Sequence, residues 1–186
     1  GDMISGNGRT INYTIHGKPA QISSNTADIH FKYGADDARF KRTNTTTGEI
    51  RYYIGNLYEH EIVGGVHTYT HFIKAAGGTV AIETSKSDNT HTVNYLHKDH
   101  LGSVTTITDQ AGLVIESQSY DAHGKRRNSD WTTISGVTPV SATTDRGFTG
   151  HEHIDEVGLV HMNGRVYDPT LGRFISADPF IQAPFN

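Results

Sequence analysis

Short runs in which apolar residues occupy every second position recur along the chain, and turn-forming residues bound each run. The runs are Ile11, Tyr13 and Ile15; Ile29, Phe31 and Tyr33; Ile50, Tyr52 and Ile54; Val80 and Ile82; and Val93 and Tyr95. A β-strand points successive side chains to opposite faces, so a period of two predicts half-buried strands. Gly, Asn and Asp clusters between the runs favour tight turns. The pattern predicts an all-β chain of successive antiparallel hairpins.

Helix is expected to be rare. The chain contains 20 Gly, nine Tyr and seven Phe, and no window carries a sustained apolar stripe at helical spacing. One helical turn at residues 36–40 is the most that the sequence favours. Hydrophobic residues make up 34% of the chain, which is low for an independent globule. The composition therefore indicates one-sided sheets or a piece of a larger assembly.

Several function classes are disfavoured by charge and composition. The 186 residues carry a formal net charge of -4 with scattered basic residues, so we expect no nucleic-acid partner. No window approaches the run of about 20 apolar residues that a spanning helix needs, so we expect no membrane span. The first residues lack the features of a signal peptide. The absence of cysteine excludes disulfides and thiolate metal sites in this sequence.

A degenerate repeat joins an aromatic strand residue to a polar turn. It occurs as Tyr13 with Gly17, as Tyr33 through Arg39, and as Tyr120-Asp121 followed by Gly124. One such unit cannot cover its own apolar face, so the units must stack. Residues 128–145 lose the alternation and predict a long loop or a domain junction, in which we expect Trp131 to pin the loop to the sheet.

Three segments carry a family resemblance: residues 95–103 with 108–114, residues 120–126, and residues 148–179. Their diagnostic residues are Tyr95, Asp99, His100, Gly102, Tyr120, Asp121, Gly124, Tyr167, Asp168, Pro169, Gly172, Arg173, Phe174, Asp178 and Pro179. These segments resemble the RHS/YD-repeat family, whose members include bacterial RHS polymorphic toxins, the toxin-complex C component and teneurins. The match is specific over residues 95–180 and looser over residues 1–94.

The resemblance implies a structural role. Proteins of this family wind a curved antiparallel strip of β-hairpins into a hollow β-shell that, in the toxins, encloses a C-terminal cargo. It implies a repeat strip at 1–127, a junction at 128–145 and a repeat-associated core domain at 146–186 that ends before its C-terminal part. The implied partners are the chain's own C-terminal toxin and the remaining shell repeats. A secreted or surface-delivered bacterial parent protein without a cofactor is expected.

The segment from Asp168 to Arg173 is explained by folding alone. Asp-Pro followed by Gly fits a type I turn, with the Asp168 carboxylate accepting backbone N–H groups and Gly172 in the left-handed region. Two cations and two anions lie within a short span of the sequence, namely Arg165, Arg173, Asp168 and Asp178. We expect these charges to form salt bridges across a hairpin, and we favour this structural interpretation over catalysis.

Aspartyl self-cleavage is the alternative for the same residues. Two close carboxylates that share a proton would act as base and acid toward a water. The resemblance places the essential arginine on Arg165, one aspartate on the position of Val166 and the second on Asp178. Val166 breaks this pair, and Asp168, two residues further along, is the available substitute. The sequence therefore predicts a self-cleavage remnant and no confident catalytic residue.

Two further alternatives concern ligands. Histidine pairs occur at His67 with His71, His97 with His100, and His151 with His153, but none has a diagnostic third ligand, so we expect no metal site. A cell-surface adhesion module remains an alternative function, with a surface protein or a glycan as partner. Aromatic residues gathered on an exposed sheet face would favour stacking on sugar rings.

Overall fold

The computed structural model describes residues 2–76, 78–128, 130–134 and 143–178. Within these ranges the chain forms strands, turns and two single 3-10 turns, with no α-helix. Strands β1 to β12 make one twelve-stranded antiparallel sheet in strict sequence order. The prediction of an all-β fold of successive antiparallel hairpins is confirmed. No helix in the described part is long and apolar enough to cross a membrane.

The strands of the large sheet are β1 Ser5–Gly6, β2 Arg9–Tyr13, β3 Pro19–Ser24, β4 Asp28–Tyr33, β5 Arg39–Asn44, β6 Glu49–Ile54, β7 Tyr58–Val63, β8 Val66–Ala75, β9 Gly78–Lys86, β10 His91–Lys98, β11 Val104–Thr108 and β12 Val114–Ser117. A small hairpin follows with β13 Ser119–Tyr120 and β14 Arg126–Arg127. The last sheet contains β15 Glu152–Ile154, β16 Leu159–Met162, β17 Arg165–Asp168 and β18 Arg173–Phe174, with 3-10 turns at Phe148–Gly150 and Asp155–Val157.

One turn geometry recurs along the chain and accounts for the repeat. In each copy the first N–H bonds to the fifth carbonyl, and the fourth N–H bonds back to the first carbonyl. The copies span residues 14–18, 34–38, 86–90, 99–103, 109–113, 121–125, 128–132 and 147–151. The fourth residue has a positive φ in every copy, which glycine, Asn and Asp tolerate best. The copy at 34–38 replaces the helical turn expected at residues 36–40, and β5 begins directly after it.

The large sheet has one covered face and one open face. The covered face carries Ile11, Ile22, Ile29, Phe31, Arg42, Arg51 and Tyr53, and the described residues 143–178, here called the C-terminal segment, pack on it. The prediction that apolar positions face the core is correct for β4, where Ile29 and Phe31 are buried. It is wrong for β6, because Ile54 is 64% exposed while Tyr53 is buried, and for β10, because Tyr95 is 45% exposed while Leu96 is buried.

Two other expectations are corrected. Ile15 is exposed in the turn after β2 and belongs to no strand. Trp131 does not pin a loop to the sheet, since it is 75% exposed and its ring contacts the guanidinium of Arg127 at 4.6 Å from the centroid. Trp131 occupies the fourth position of the 128–132 turn with a φ of 74°. The sterics of the turn therefore direct this side chain toward solvent. Residues 129 and 135–142 of the predicted junction lie outside the described residues.

Candidate docking interface of the C-terminal segment

An apolar cluster joins the first strands of the large sheet to the C-terminal segment. Ile22 and Ile29 are fully buried, and so are Ile154 and Val166 on the other side. The remaining members are Ile11, Ala27, Phe31, Val157, Leu159 and Ile175. Burying a side chain of this size contributes about 1.5–3 kcal/mol. Hydrophobic packing therefore holds the segment at this end of the sheet, which we call the apolar end.

A buried ion pair borders the apolar cluster. Arg9 on β2 donates to the carboxylate of Asp168, whose side chain is fully buried, and also donates to the Val157 carbonyl at 2.6 Å. The other Asp168 oxygen accepts the N–H groups of Thr170 at 2.9 Å and Leu171 at 3.2 Å. The pairing of Asp168 with Arg9 was not visible in the sequence, because 159 residues separate them.

The neighbouring strands present charge to the same segment. Arg42 on β5 stands directly opposite Arg51 on β6, and Arg51 stands opposite Glu61 on β7. Facing cations destabilise a sheet unless anions are placed between them. Their side chains are almost completely buried, with 2% exposed for Arg42 and 11% for Arg51. We call this second region the ionic end of the interface.

Glu152 on β15 is the central anion of the ionic end. Its carboxylate is 1% exposed and accepts hydrogen bonds from Arg39, from Arg42 Nη1 at 3.2 Å and from the Tyr53 hydroxyl at 2.8 Å. The guanidinium of Arg39 also lies 4.0 Å from the centroid of the Tyr53 ring. One carboxylate from the C-terminal segment thus neutralises arginines that the sheet holds in place.

Further ion pairs extend the network on both sides. Asp145 accepts from Arg51, and the Glu156 carboxylate pairs with Arg42. In the reverse direction, Arg146 of the C-terminal segment donates to Glu59 of β7. Each side of the interface therefore supplies both cations and anions, which fixes the register of the segment on the sheet.

Burial and charge shift the titration of these groups in opposite directions. Burial favours the neutral form of Glu152, but Arg39 and Arg42 outweigh it and hold the pKa of this carboxyl well below its usual value. Burial raises the pKa of Glu59 and of Glu49 despite their arginine neighbours. Of these three carboxylates, Glu152 is thus held most firmly in its charged form, because Arg39, Arg42, Arg146 and Arg51 all favour its ionisation.

The residues considered for self-cleavage separate onto different faces. Arg165 pairs with Asp178 at 2.9 Å, and the Asp178 side chain is half exposed. The guanidinium carbon of Arg165 lies 3.7 Å from the centroid of the Phe174 ring. Val166 points the other way, into the apolar cluster, where it is fully buried. Alternation along β17 therefore places Val166 with Asp168 and apart from Arg165. The expected salt bridges are present for Arg165 with Asp178, whereas Asp168 takes Arg9 as its cation.

The family-motif residues shape turns and pack rings. Asp99 and Asp121 accept backbone N–H groups within their own turns at 2.8–2.9 Å, and Gly102 and Gly124 have φ values of 83° and 86°. Tyr120 is buried, and its hydroxyl donates to the Val104 carbonyl at 2.8 Å. The rings of Tyr167 and Phe174 meet edge to face. Pro169 is buried and Gly172 has a φ of 63°, whereas the exposed motif residues are Tyr95, His100 and Arg173. Pro179 lies outside the described residues.

Histidines are placed in the core and on the open face. His153 and His161 are buried, and burial lowers the pKa of both well below the usual value. His153 Nε2 accepts the Phe148 N–H at 3.0 Å, which is a bond to a neutral ring. Within the described ranges no three His, Asp or Glu side chains are grouped so as to hold a metal ion.

Aromatic residues do gather on the open face. Tyr52, His60 and Tyr69 stand opposite one another on β6, β7 and β8, with His60 4.6 Å from Tyr69 and 5.9 Å from Tyr52 between centroids. His60 also stacks on His67 at 5.1 Å. The ring faces contact one another, so mainly ring edges are left for solvent. This arrangement does not favour the sugar stacking that the adhesion alternative requires.

Sequence reasoning missed the ionic end. In β6 the apolar alternation predicts that Ile50, Tyr52 and Ile54 face the core, whereas Glu49, Arg51 and Tyr53 share the same period on the opposite face. That second alternation was the available signal. In β6 the apolar residues alternate on one face and the charged residues alternate on the other. When charged partners exist elsewhere in the chain, the strand alone does not determine which of the two faces is buried.

The family comparison matches most of the chain. The teneurin YD-shell model aligns with residues 20–184. The chain belongs to the teneurin YD-shell family. Family membership and the sequential twelve-stranded sheet agree with a section of β-shell, as the resemblance implied.

Among curated proteins, the YD-shell chain is 36% identical over 85 residues to double-stranded DNA deaminase toxin A of Burkholderia cenocepacia, which covers 46% of this chain and 6% of that protein. It is 33% identical over 84 residues to salivary gland surface protein 1 of Aedes aegypti, covering 45% and 2%. The tRNA nuclease WapA of Bacillus subtilis is 28% identical over 85 residues, covering 46% and 3%. The match therefore spans only a small part of each relative.

Solved structures share the fold. The crystal structure of TcdB2-TccC3 superposes with a TM-score of 0.72 at 19% identity, covering 93% of this chain and 9% of that one. The Photorhabdus luminescens Tc holotoxin pore gives a TM-score of 0.65 at 18% identity, covering 93% and 9%. The YD-shell chain thus corresponds in fold to a short section of a much longer shell.

Proposed function

We propose that the large sheet is a section of shell wall, that the C-terminal segment is part of its plug, and that with the remaining repeats they enclose a toxin following in the same polypeptide. The observation that carries this proposal is the difference between the two faces of the large sheet. The covered face is packed against the C-terminal segment through apolar and ionic contacts, while the open face carries the stacked rings of Tyr52, His60 and Tyr69. A wall with an inner plug needs this asymmetry.

The proposal assigns no reaction to this chain. In support, Asp168 is engaged by Arg9 and by its own turn, Arg165 and Asp178 form a partly exposed pair, and Val166 is buried in the apolar cluster. The motif residues are then scaffold residues. The proposal also places the parent protein outside the producing cell, secreted or delivered to a cell surface. Similarity to a toxin and to a surface protein supports that location.

Limited proteolysis of the full-length natural protein tests the enclosure. The region downstream of Asn186 should resist protease while the shell is closed. Glu152→Gln, which weakens the ionic end, should expose that region at protease concentrations that spare the parent protein. Tyr69→Thr on the open face is the matched control and should leave protection unchanged. Equal sensitivity of the downstream region in the parent and in Glu152→Gln would refute the enclosing role of this contact.

Intact-mass measurement of the same protein tests the absence of catalysis. We expect one species, or fragments whose pattern is unaffected by Asp178→Asn. A discrete product that disappears in Asp178→Asn would replace the structural role with aspartyl self-cleavage. Thermal unfolding of that variant is measured in parallel, because loss of the Arg165 partner lowers stability by about 1 kcal/mol at this exposure.

A further inference from the structure

Two histidine side chains meet on the open face of the large sheet, across the hairpin of β7 and β8. The strands are joined by Gly64 and Gly65, whose φ values are 57° and 83°. Positive φ at both positions of a two-residue loop fixes the register of a tight hairpin. In this register His60 stands opposite Tyr69, two residues along β8 from His67. The two histidines are therefore diagonal neighbours on one face.

The two rings are bonded to each other through their nitrogens. His60 Nε2 lies 2.9 Å from His67 Nδ1. In such a bond between neutral rings, one nitrogen carries the hydrogen and the other presents its lone pair. Either nitrogen of a neutral imidazole is also a metal ligand. A metal ion that replaces the shared hydrogen would find two ligands, and the donor ring would move its hydrogen to its other nitrogen by exchange with water.

The distance between the nitrogens selects the kind of ion. Metal–nitrogen bonds to histidine are about 2.0–2.1 Å long, so two nitrogens 2.9 Å apart subtend about 90° at a shared ion. That angle is typical of neighbouring ligands around Cu²⁺ or Ni²⁺, whereas tetrahedral Zn²⁺ needs about 109°. The ring centroids are 5.1 Å apart, so the two nitrogens face each other almost directly. A tilt of both rings toward solvent would bring their lone pairs onto one ion.

Neighbouring groups hold both ligands in place. Tyr52 and Tyr69 flank the His60 ring, with centroids at 5.9 Å and 4.6 Å. This stacking covers ring faces and leaves the ring edges, which carry the nitrogens, toward solvent. The His67 N–H donates to Ser87 Oγ at 3.0 Å, and the His67 carbonyl accepts the Ser87 N–H at 2.9 Å. Ligands that are already ordered lose little freedom when they bind an ion.

The pair differs from the one that the sequence suggests. Sequence spacing couples His67 with His71, but Tyr69 lies between them on β8 and the His71 ring packs on Tyr58 at 4.8 Å. Within the described ranges no third His, Asp or Glu joins His60 and His67 in a metal-binding group. Water would therefore complete the coordination, as it does at open metal sites.

We propose that His60 Nε2 and His67 Nδ1 form a two-histidine chelate for Cu²⁺ or Ni²⁺ on the open face of the large sheet. Cu²⁺ is the tighter ligand of the two, since affinity for a given site rises along the divalent series to copper. None of the diagnostic motif residues takes part. The inference is independent of whether the shell encloses a toxin.

Pulsed electron paramagnetic resonance of the 186-residue chain tests the chelate, with Cu²⁺ added below one equivalent. The nitrogen modulation should correspond to two coordinated imidazoles. His60→Gln and His67→Gln should each leave one imidazole at most and weaken Cu²⁺ binding at least about tenfold, since even residues behind the ligands contribute that much. His91→Gln is the matched control, because His91 is another open-face histidine and pairs with Glu83 at 2.9 Å. It should keep the parent's signal and affinity.

Nuclear magnetic resonance of the unaltered chain gives a readout that needs no variant. Paramagnetic Cu²⁺ well below one equivalent should broaden the ring signals of His60 and His67 before those of the other histidines. Circular dichroism without metal checks that each variant is folded. The proposal is overturned if one imidazole coordinates in the parent, if other histidine rings broaden first, or if folded His60→Gln and His67→Gln bind Cu²⁺ as the parent does.

Discussion

The two ends of the interface hold the same segment by opposite chemistry. At the apolar end Ile22 and Ile29 meet Ile154 and Val166 with no exposed surface. At the ionic end facing arginines of the sheet enclose a carboxylate of the segment. Hydrophobic packing is tolerant of sliding, whereas a buried ionic network is satisfied in one register only. The comparison indicates that the apolar end supplies affinity and the ionic end supplies position.

The largest effect should come from placing charge in the apolar end. Val166→Asp would bury a carboxylate among isoleucines and should lower the free energy of unfolding by about 4 kcal/mol or more at pH 7. Chemical denaturation measures this loss. Ile54→Asp, at an open-face position that is 64% exposed, is the control and should cost less than about 1 kcal/mol. A small loss at Val166 would mean that the segment lifts off the sheet without penalty.

Removing charge from the ionic end should have the next largest effect. Glu152→Met leaves Arg39 and Arg42 without their shared anion and should cost about 3 kcal/mol. Adding Arg39→Met should recover about 1 kcal/mol or more, because the unpaired buried cation is then gone. Denaturation of the two single variants and the double variant completes the cycle. If the losses simply add, Arg39 and Glu152 are not coupled and the ionic end does not act as a unit.

Pattern reasoning predicted the apolar end and missed the ionic end for a physical reason. The alternation of Ile29 and Phe31 marks a core face, and turn residues such as Gly102 and Gly124 mark the hairpins, since both signals are local. Glu152, the carboxylate that Arg39 and Arg42 share, lies more than 100 residues away, although Glu49 across the next turn also pairs with Arg42 at 3.5 Å. Nothing local distinguishes an arginine that will be buried by a distant glutamate from one that stays in water.

Acid should destabilise the folded chain through its two buried histidines, His153 and His161. The pKa of His153 and of His161 is well below the usual value in the folded chain, so the unfolded chain binds protons first as the pH falls. Their stabilising effect is complete above about pH 6.5 and is lost below it, by about 1.4 kcal/mol per histidine between pH 7.5 and 5.5. Glu59, whose pKa is raised by burial, changes the free energy of unfolding in the opposite direction as the pH falls. The total pH dependence of stability therefore does not isolate the effect of the histidines.

The readout is the difference between the parent and single variants. His161→Gln should remove about 1.4 kcal/mol of the pH dependence between pH 7.5 and 5.5, although it also lowers stability at pH 7.5. His100→Gln, at an exposed turn position, is the control and should leave the slope unchanged. A slope that is identical in the parent and in His161→Gln would show that this ring is protonated as easily in the folded chain as in water.

The smallest predicted difference is between the losses of stability caused by alanine at Gly112 and at Gly124, which lie in two copies of the repeated turn. Gly112 and Gly124 occupy the same position of the repeated turn, with φ values of 81° and 86°. A Cβ at Gly112 would meet nothing within 4 Å, whereas a Cβ at Gly124 would lie 2.3 Å from the Phe148 ring. Both alanine variants carry the conformational penalty of about 1 kcal/mol, and only Gly124→Ala must also displace the ring.

Gly124→Ala should therefore lose about 1 kcal/mol more than Gly112→Ala in denaturation experiments, since overpacking adds at least that amount. Phe148→Leu, which removes the facing ring, should reduce the extra cost in the double variant. Equal losses at the two glycines would mean that Phe148 moves aside freely and that this turn is not a contact of the C-terminal segment. A larger loss at Gly124 that Phe148→Leu reduces would identify a third contact, one held by close approach of backbone and ring, beside the apolar and ionic ends.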